Sequence, residues 1–414
     1  MISVEQAWKM VLDHAQHTPL KLPFTPTSYQ NPFPGILRED ICADRDLPPY
    51  DRVMMDGIAV ALSHGDPSAC QRFKILGRAL AGEEVQSLPE SQSCLEVMTG
   101  SILPTGAQAV VPLEYFQRVK EGSHFWAVLH PGYEVKPGQF VHRQGSDATQ
   151  GSLVLPKGTF MGPNQWGIAA AVGASSLLLS RPKVGIVATG SEIVAVETSQ
   201  PGVHQIRNSN PTALLALLQS HGFTCHKPCH VPDDPSILAQ EVQDQLSQSH
   251  VLILTGGVSA GSADYVPAIL RELGVTQVFH KVSQKPGKPL WFGVGPLGQL
   301  VFGLPGNPVS CMVTALKYVI PALRFLQFGK LPGSNMVPLL PGQQAPSHSH
   351  LTLFASVQLT PTEEGALAAH ILPQNNSGDF VSLLKSDGVV EIPPGRPNSD
   401  GFSYMSWLKN SSLF

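Results

Sequence analysis

The chain has 414 residues, and at roughly one domain per 150 residues its length predicts two to four domains. Charged residues make up 14% and the formal net charge is −4 with His neutral, with no basic block, which argues against nucleic acid or an anionic membrane as the main partner. The 38 glycines and 37 prolines stay below the roughly 25–30% of a disordered composition, so they predict turns.

MISVEQAWKMVLDHAQ lacks the basic start and apolar core of a signal peptide, and no run of about 18 apolar residues occurs. Both features predict a cytoplasmic protein that spans no membrane. Cys42, Cys70, Cys94, Cys225, Cys229 and Cys311 form no C-x-x-C pair and read as reduced thiols. Residues 3–16 predict an amphipathic helix, capped by Ser3 with Gln6 completing a capping box. Leu20 to Asp51 is Pro-rich and extended. Asp56-Gly57, between the apolar runs of VMMDGIAVAL, predicts a hairpin turn. From Phe73 to about Val141, short apolar runs alternate with Gly/Pro turns, as in a small all-β domain.

A turn-rich passage follows, with a helix from Pro163 to Gly173. Then strands and helices alternate. KVGIVAT is a strand, and Asn210 is placed to cap the helix PTALLALLQSH, with Pro211 first and Gly222 just past its end. FTCHKPCHV is a strand, DPSILAQEVQDQLSQS a helix, VLILT a strand and ADYVPAILREL a helix. This alternation predicts βαβ units and a parallel sheet. NPVSCMVTALKYVIPALRFLQ is one long helix with a kink at Pro321, and after Gly329 short strands return as a second small β domain.

The stretch Val251–Ser310 organises the rest. TGGVSAGSADY offers Gly256, Gly257 and Gly261 for close backbone approach, Ser259 as a hydroxyl donor and Asp264 near a helix start. Its spacing matches neither G-x-G-x-x-G nor a P-loop. KVSQKPGKP concentrates Lys281, Lys285 and Lys288 in an acidic chain, which suits an anion. GLPGNPVS sets Pro305, Gly306 and Pro308 in a rigid loop, with Asn307 as a cap for the long helix. Asp56, Asp147, Glu192 and Asp233 sit in turns, where acids are usually structural; with Asp264 and the lysines they also suit Mg²⁺ and its bound phosphates. CHKPCH lacks the second ligand pair of a zinc site and reads as ordinary strand.

Taken in order, PPYDRVMMDGIAV, VMTGSILPTGAQAVVPLE, HRQGSDATQGSLVLPKGT, VATGSEIV, VPDDP, TGGVSAGSADY, KPGKP and GLPGNPVS resemble the molybdopterin molybdenumtransferases of molybdenum cofactor biosynthesis, a family that includes the C-terminal region of gephyrin. QNNSGDFVSLLKSDGVVEIP is similar to the family's final β domain. The resemblance implies a multidomain α/β plus β fold. Residues 1–50 and 143–180 would form an elongated discontinuous linker domain and 51–142 an inserted β-rich domain. Residues 181–328 would form the α/β molybdopterin-binding domain and 329–414 a C-terminal β-barrel. It implies a homodimer sharing each site between subunits, and transient contact with the molybdopterin-adenylating enzyme. The implied reaction inserts molybdate into adenylylated molybdopterin and releases AMP, with Mg²⁺.

The resemblance carries roles to named positions. Asp56, Asp147, Glu192, Lys281 and Lys285 would be catalytic. Thr99, Gly256, Gly257, Ser259, Gly261 and Lys288 would bind substrate, as would Pro305, Gly306, Asn307 and Pro308. Asp233, Asp264 and Glu192 would hold the metal. Three stretches depart from the family. Met54-Met55 stands among residues that are usually small, and Ser146 and Ser191 replace acids in QGSD and TGSE. The alternative readings are a molybdopterin adenylyltransferase and a non-catalytic molybdopterin-binding scaffold.

Overall fold

The computed structural model describes residues 1–18, 21, 22, 24, 26–62, 71–89, 91–258, 265–329, 335–363, 365–373 and 376–408. They divide into two compact units, one of residues 1–27, 34–36 and 178–414, the other of 28–33 and 37–177.

In the first unit the centre is a six-stranded sheet in the order Cys229–Val231, Val184–Thr189, Val251–Thr255, Leu300–Leu304, Trp291–Val294, Thr276–His280. The first four strands are parallel, Trp291–Val294 runs antiparallel to them, and Thr276–His280 pairs antiparallel with Trp291–Val294. The expected parallel sheet is therefore mixed: Trp291–Val294 and Leu300–Leu304 are joined too closely for a helical crossover, and a short connection requires antiparallel pairing. Val251–Thr255 is buried at every position. Its side chains alternate between two cores, Val251 and Ile253 on one face, Leu252 and Leu254 on the other. That is why the strand reads as a continuous apolar run: both faces are covered, and each such side chain contributes about 1.5–3 kcal/mol by burial.

The long helix runs Pro308–Phe328. Its length and apolar character would let it cross a membrane, but 72% of the apolar window is buried inside the protein. It is apolar almost all round because it packs on the sheet, on the first helix and on the C-terminal strands. A π turn at Ala315–Val319 precedes Pro321. Proline donates no N–H and its ring would meet the carbonyl four residues back, so a widened turn absorbs the misfit expected as a kink. The first helix, Val4–His17, has the predicted capping box, with Gln6 N donating to Ser3 Oγ at 3.1 Å and Ser3 N donating to Gln6 Oε1 at 3.0 Å.

The C-terminal strands of this unit form a second six-stranded sheet, whose longest member, Thr352–Pro361, pairs with Leu367–Ile371 and Gly388–Ile392. Gln284–Lys285 joins the same sheet, parallel to Thr352–Pro361. The lysine loop is thus stitched to the C-terminal strands. FTCHKPCHV is strand only at Cys229–Val231, with Cys225 making a single bridge to Val184. Burial pushes both thiols up to about 12, Cys229 with help from Glu241.

In the second unit a six-stranded sheet runs Ala109–Pro112, Gly57–Val60, Ser93–Val97, Arg72–Ala79, His124–Leu129, Phe116–Glu121. The expected hairpin at Asp56-Gly57 does not form. Arg52–Val53 pairs with Val141–His142, while Gly57–Val60 pairs with Ser93–Val97 and Ala109–Pro112. Gly57 is there for close approach: a Cβ would lie 2.0 Å from the Val111 carbonyl oxygen. The helix Pro163–Ala171 completes this unit, held by Trp166 Nε1 donating to the Phe33 carbonyl at 3.1 Å.

Candidate functional site

The chain passes from Val184–Thr189 outward to Cys229–Val231 and then returns to Val251–Thr255 on the other side. At such a switch point the connections leave in opposite directions, opening a crevice at the carboxyl ends of the two strands. A cavity of about 1030 Å³ lies there, within the first unit. Its walls include Glu192 and Asp233, Gly256 and Gly257, Lys285 and Lys288, and the loop from Pro305 to Pro308. Ten of the expected site positions therefore meet around one space.

Three strand ends build the floor. Gly256 has φ +93°, and a Cβ there would lie 2.3 Å from the Thr189 carbonyl oxygen, so the loop after Thr255 presses against the end of the neighbouring strand. Gly306 packs back on this loop, its Cβ direction ending 3.8 Å from Gly256 Cα. Asp233 braces the third end: Oδ1 accepts from Thr189 Oγ1 at 2.8 Å and Oδ2 from Ser191 N at 2.9 Å. Its own N–H donates to Ser191 Oγ at 3.2 Å. Ser191, where the resemblance implies an acid, is thus bonded to Asp233 through both its backbone and its hydroxyl. Asp234, next along, caps the following helix through Ser236 N and Ile237 N.

Two expected caps do other work. Asn210 makes no cap bond; its Nδ2 donates to Thr255 Oγ1 at 3.0 Å and to the Gly306 carbonyl at 2.7 Å. Asn307 holds the N-cap position of the long helix without a side-chain cap bond, and its Nδ2 donates to Ser377 Oγ at 2.9 Å. The Ser377 carbonyl accepts from Val309 N at 3.1 Å, and Pro308 has no N–H, so the first helical turn offers an anion fewer donors than expected. Charge at this end must come from side chains.

Lys285 and Lys288 supply it, both exposed and both on the cavity wall. Their loop is held from below by Gln284, 1% exposed, whose Nε2 donates to the Pro286 carbonyl at 3.0 Å and whose Oε1 accepts from Tyr318 Oη at 2.6 Å. Burial raises the Tyr318 phenol above its ordinary range, keeping it a donor. Lys281 does not line the cavity; its backbone is tied to Ile2 and Leu290. The far wall is apolar, from Leu351, Leu353, Phe354, Ile371 and Leu372, with Asn376 and Ser377 at its edge. Sequence patterns gave no signal for this wall, because alternating strand residues look the same wherever the strand packs. Ser259, Gly261 and Asp264 lie outside the described residues.

Asp56, Thr99 and Asp147 belong to the second unit. Thr99 donates its backbone N–H and its hydroxyl to Asp56 Oδ1, each at 2.7 Å. The backbone bond first, then the hydroxyl, hold the Asp56 carboxyl below its ordinary value. Arg52 Nη2 lies 3.0 Å from His142 Nδ1, and since a guanidinium only donates, Nδ1 accepts and Nε2 carries the hydrogen given to Asp147 Oδ1 at 2.8 Å. Ser146 Oγ, at the other position where the resemblance implies an acid, also reaches Asp147 Oδ1, at 3.4 Å.

Among the described residues no three His, Cys, Asp or Glu side chains cluster as a metal site. Glu192 and Asp233 are both on the cavity wall, and two carboxylates are a donor set that fits Mg²⁺, which keeps waters among its other ligands.

Residues 2–173 match the MoeA N-terminal region (domain I and II), and 185–324 a probable molybdopterin binding domain. The molybdopterin molybdenumtransferase of Synechocystis sp. is 35% identical over 377 residues, 90% of this chain and 92% of that protein. That of Synechococcus elongatus is 37% identical over 87% of this chain and 88% of its own length. The chain belongs to the molybdopterin molybdenumtransferase family. Its fold follows the family's: the crystal structure of the molybdopterin biosynthesis MoeA protein from Pyrococcus horikosii matches with a TM-score of 0.72 at 26% identity, covering 98% of this chain and 99% of that one. The family's probable molybdopterin-binding segment contains the switch point and most of the cavity's polar wall.

Proposed function

We infer that this chain is a transferase of molybdenum cofactor biosynthesis, a molybdopterin molybdenumtransferase. One observation carries the reading: the family match extends over nine-tenths of the chain, and the cavity at the switch point of its molybdopterin-binding segment gathers the cations, glycines and acids that such a substrate needs.

In this reading the substrates are adenylylated molybdopterin and molybdate, and AMP is released. A phosphoanhydride breaks by in-line displacement only when its negative charge is neutralised. Lys285 and Lys288 supply that charge, and the backbone around Gly256 and Gly257 approaches the phosphate where no side chain stands in the way. Glu192 orients the attacking oxygen. Asp233 and Glu192 would hold Mg²⁺, with Asp264 as the further ligand implied by the family; when bound, the ion screens phosphate oxygens. Asp56, Thr99 and Asp147 act with the cavity of a second subunit in a homodimer. Lys281 is kept as a catalytic position on the family's pattern alone.

The domain division goes with this reading: a discontinuous linker domain of 1–50 and 143–180, an inserted β domain at 51–142, the α/β domain at 181–328, and a C-terminal barrel at 329–414. The enzyme works in the cytoplasm and meets the molybdopterin-adenylating enzyme transiently.

The test supplies adenylylated molybdopterin, molybdate and Mg²⁺ to the purified chain and measures AMP release and active cofactor. AMP release that Lys285→Ala lowers supports the reading. No AMP above the Lys285→Ala control overturns it, and formation of adenylylated molybdopterin from ATP would make the chain an adenylyltransferase instead.

A further inference from the structure

The loop after Thr255 and the loop before the long helix form adjoining parts of the cavity floor, and a substrate phosphate addressed by both needs their spacing held. The register pairing of the two strands ends at Thr255 and Leu304, and beyond it a single long backbone bond, Gly256 N to the Leu304 carbonyl at 3.4 Å, joins the loops. The Asn210 amide adds the side-chain tie, with Nδ2 donating to Thr255 Oγ1 at 3.0 Å on one side and to the Gly306 carbonyl at 2.7 Å on the other. The orientation of the amide is forced, because a carbonyl oxygen can only accept. Thr255 is 2% exposed, and the buried Cys311 thiol donates to the same Oγ1 at 3.7 Å. Burial pushes that thiol up to about 12, so it stays protonated and remains a donor. One side chain from a third segment thus closes a chain that runs from Cys311 on the long helix, through Thr255 and Asn210, to Gly306.

We propose that Asn210 is a positioning residue for the transfer reaction, clasping the glycine loop at 256–257 to the loop at 305–307 so that both address one phosphate group. The Asn210 side chain touches Thr255 and Gly306, and its effect on substrate runs through the two loops. The catalytic part rests on the proposed function; the clasp does not.

The experiment compares wild type, Asn210→Ala, Thr255→Val and the double variant in the full chain. Backbone hydrogen exchange is followed in segments 256–258 and 305–307, and kcat and KM are measured for adenylylated molybdopterin. In Asn210→Ala both segments exchange faster by about tenfold, as loss of a hydrogen-bonded tie produces, and kcat falls by a similar factor with KM changing less. Thr255→Val loosens the same two segments, and the double variant is no worse than Asn210→Ala by more than about twofold, the non-additivity of one shared contact. Unchanged exchange in either segment of Asn210→Ala, or additive effects in the double variant, overturns the clasp. If Asn210→Ala does not fold, Thr255→Val alone decides by the same exchange readout. Wild type without turnover would refute the proposed function while the exchange result still judges the clasp.

Discussion

Thr99 gives both of its donors, backbone N–H and hydroxyl, to a single oxygen of Asp56, at 2.7 Å each. Both bonds favour the ionised carboxylate, and the backbone bond is the larger cause of the depressed pKa. The sign follows: a carboxyl held below its unfolded value adds stability above the unfolded pKa and loses it as pH falls through the folded one. Thr99→Val keeps the N–H and removes the hydroxyl. Asp56, followed by carboxyl-carbon NMR, should titrate below an ordinary aspartate in the wild type and move up by less than half of the depression in Thr99→Val. A return to the ordinary value would mean that the hydroxyl, not the backbone, holds it.

The two glycine loops respond oppositely to the same substitution. Gly256→Ala forces a side chain to φ +93° and into the Thr189 carbonyl, so a loss of more than about 2 kcal/mol is expected in denaturant unfolding. Gly306→Ala meets nothing nearer than 3.8 Å and should stay within about 0.5 kcal/mol of wild type. Equal losses would show that the floor is not packed as described.

Lys285 and Lys288 are exposed on the cavity wall, whereas Lys281 is half-buried and outside it. Lys285→Ala and Lys288→Ala should each lower kcat/KM about 10–100-fold, as removal of a group that stabilises developing charge does. Lys281→Ala should cost less than either. Steady-state kinetics on the three variants ranks them, and a dominant Lys281 would restore it to the site.

What could be read in advance followed the reach of each interaction. Val251–Thr255 and the Ser3–Gln6 cap depend on neighbours in sequence, and both were legible. That Gly256, Gly257, Lys285 and Lys288 line one cavity also agrees with their place in two short motifs, because close backbone approach and positive charge draw on few residue types. Asn210 was misread because a capping side chain and a bridging one look alike until the loop around Gly306 is seen beside it. Asp56-Gly57 was misread as a turn because a glycine admitting the Val111 carbonyl has the same letter as one with a special φ. The apolar wall of Leu353 and Ile371 was out of reach, since only the pairing of Gln284–Lys285 with Thr352–Pro361 brings those strands to the lysine loop.

Ser191 stands where the resemblance implies an acid, and its backbone and hydroxyl bond the two polar sides of Asp233. Ser191→Asp keeps an acceptor for Asp233 N–H and adds a carboxylate at the edge of the cavity. The Mg²⁺ concentration giving half-maximal AMP release should fall by roughly fivefold or more, the effect of about 1 kcal/mol of added attraction near a surface. A rise would mean that the new charge repels substrate phosphate more than it attracts the ion.

Lys317 and Glu391 join the long helix to the C-terminal sheet, with Nζ 2.6 Å from Oε2 and side chains only 13% and 14% exposed. Lys317 also lies over the Trp8 ring at 5.5 Å, so three segments of the first unit meet at this ammonium group. Both charges have lost most of their water, and removing one strands the other. Glu391→Ala should therefore lower unfolding stability by about 3–5 kcal/mol. Replacing both, Lys317→Met with Glu391→Leu, leaves no stranded charge and should cost less than Glu391→Ala alone. Denaturant unfolding of the three proteins checks this, and a double variant at least as unstable as the single one would assign the loss to packing rather than to the unpaired charge.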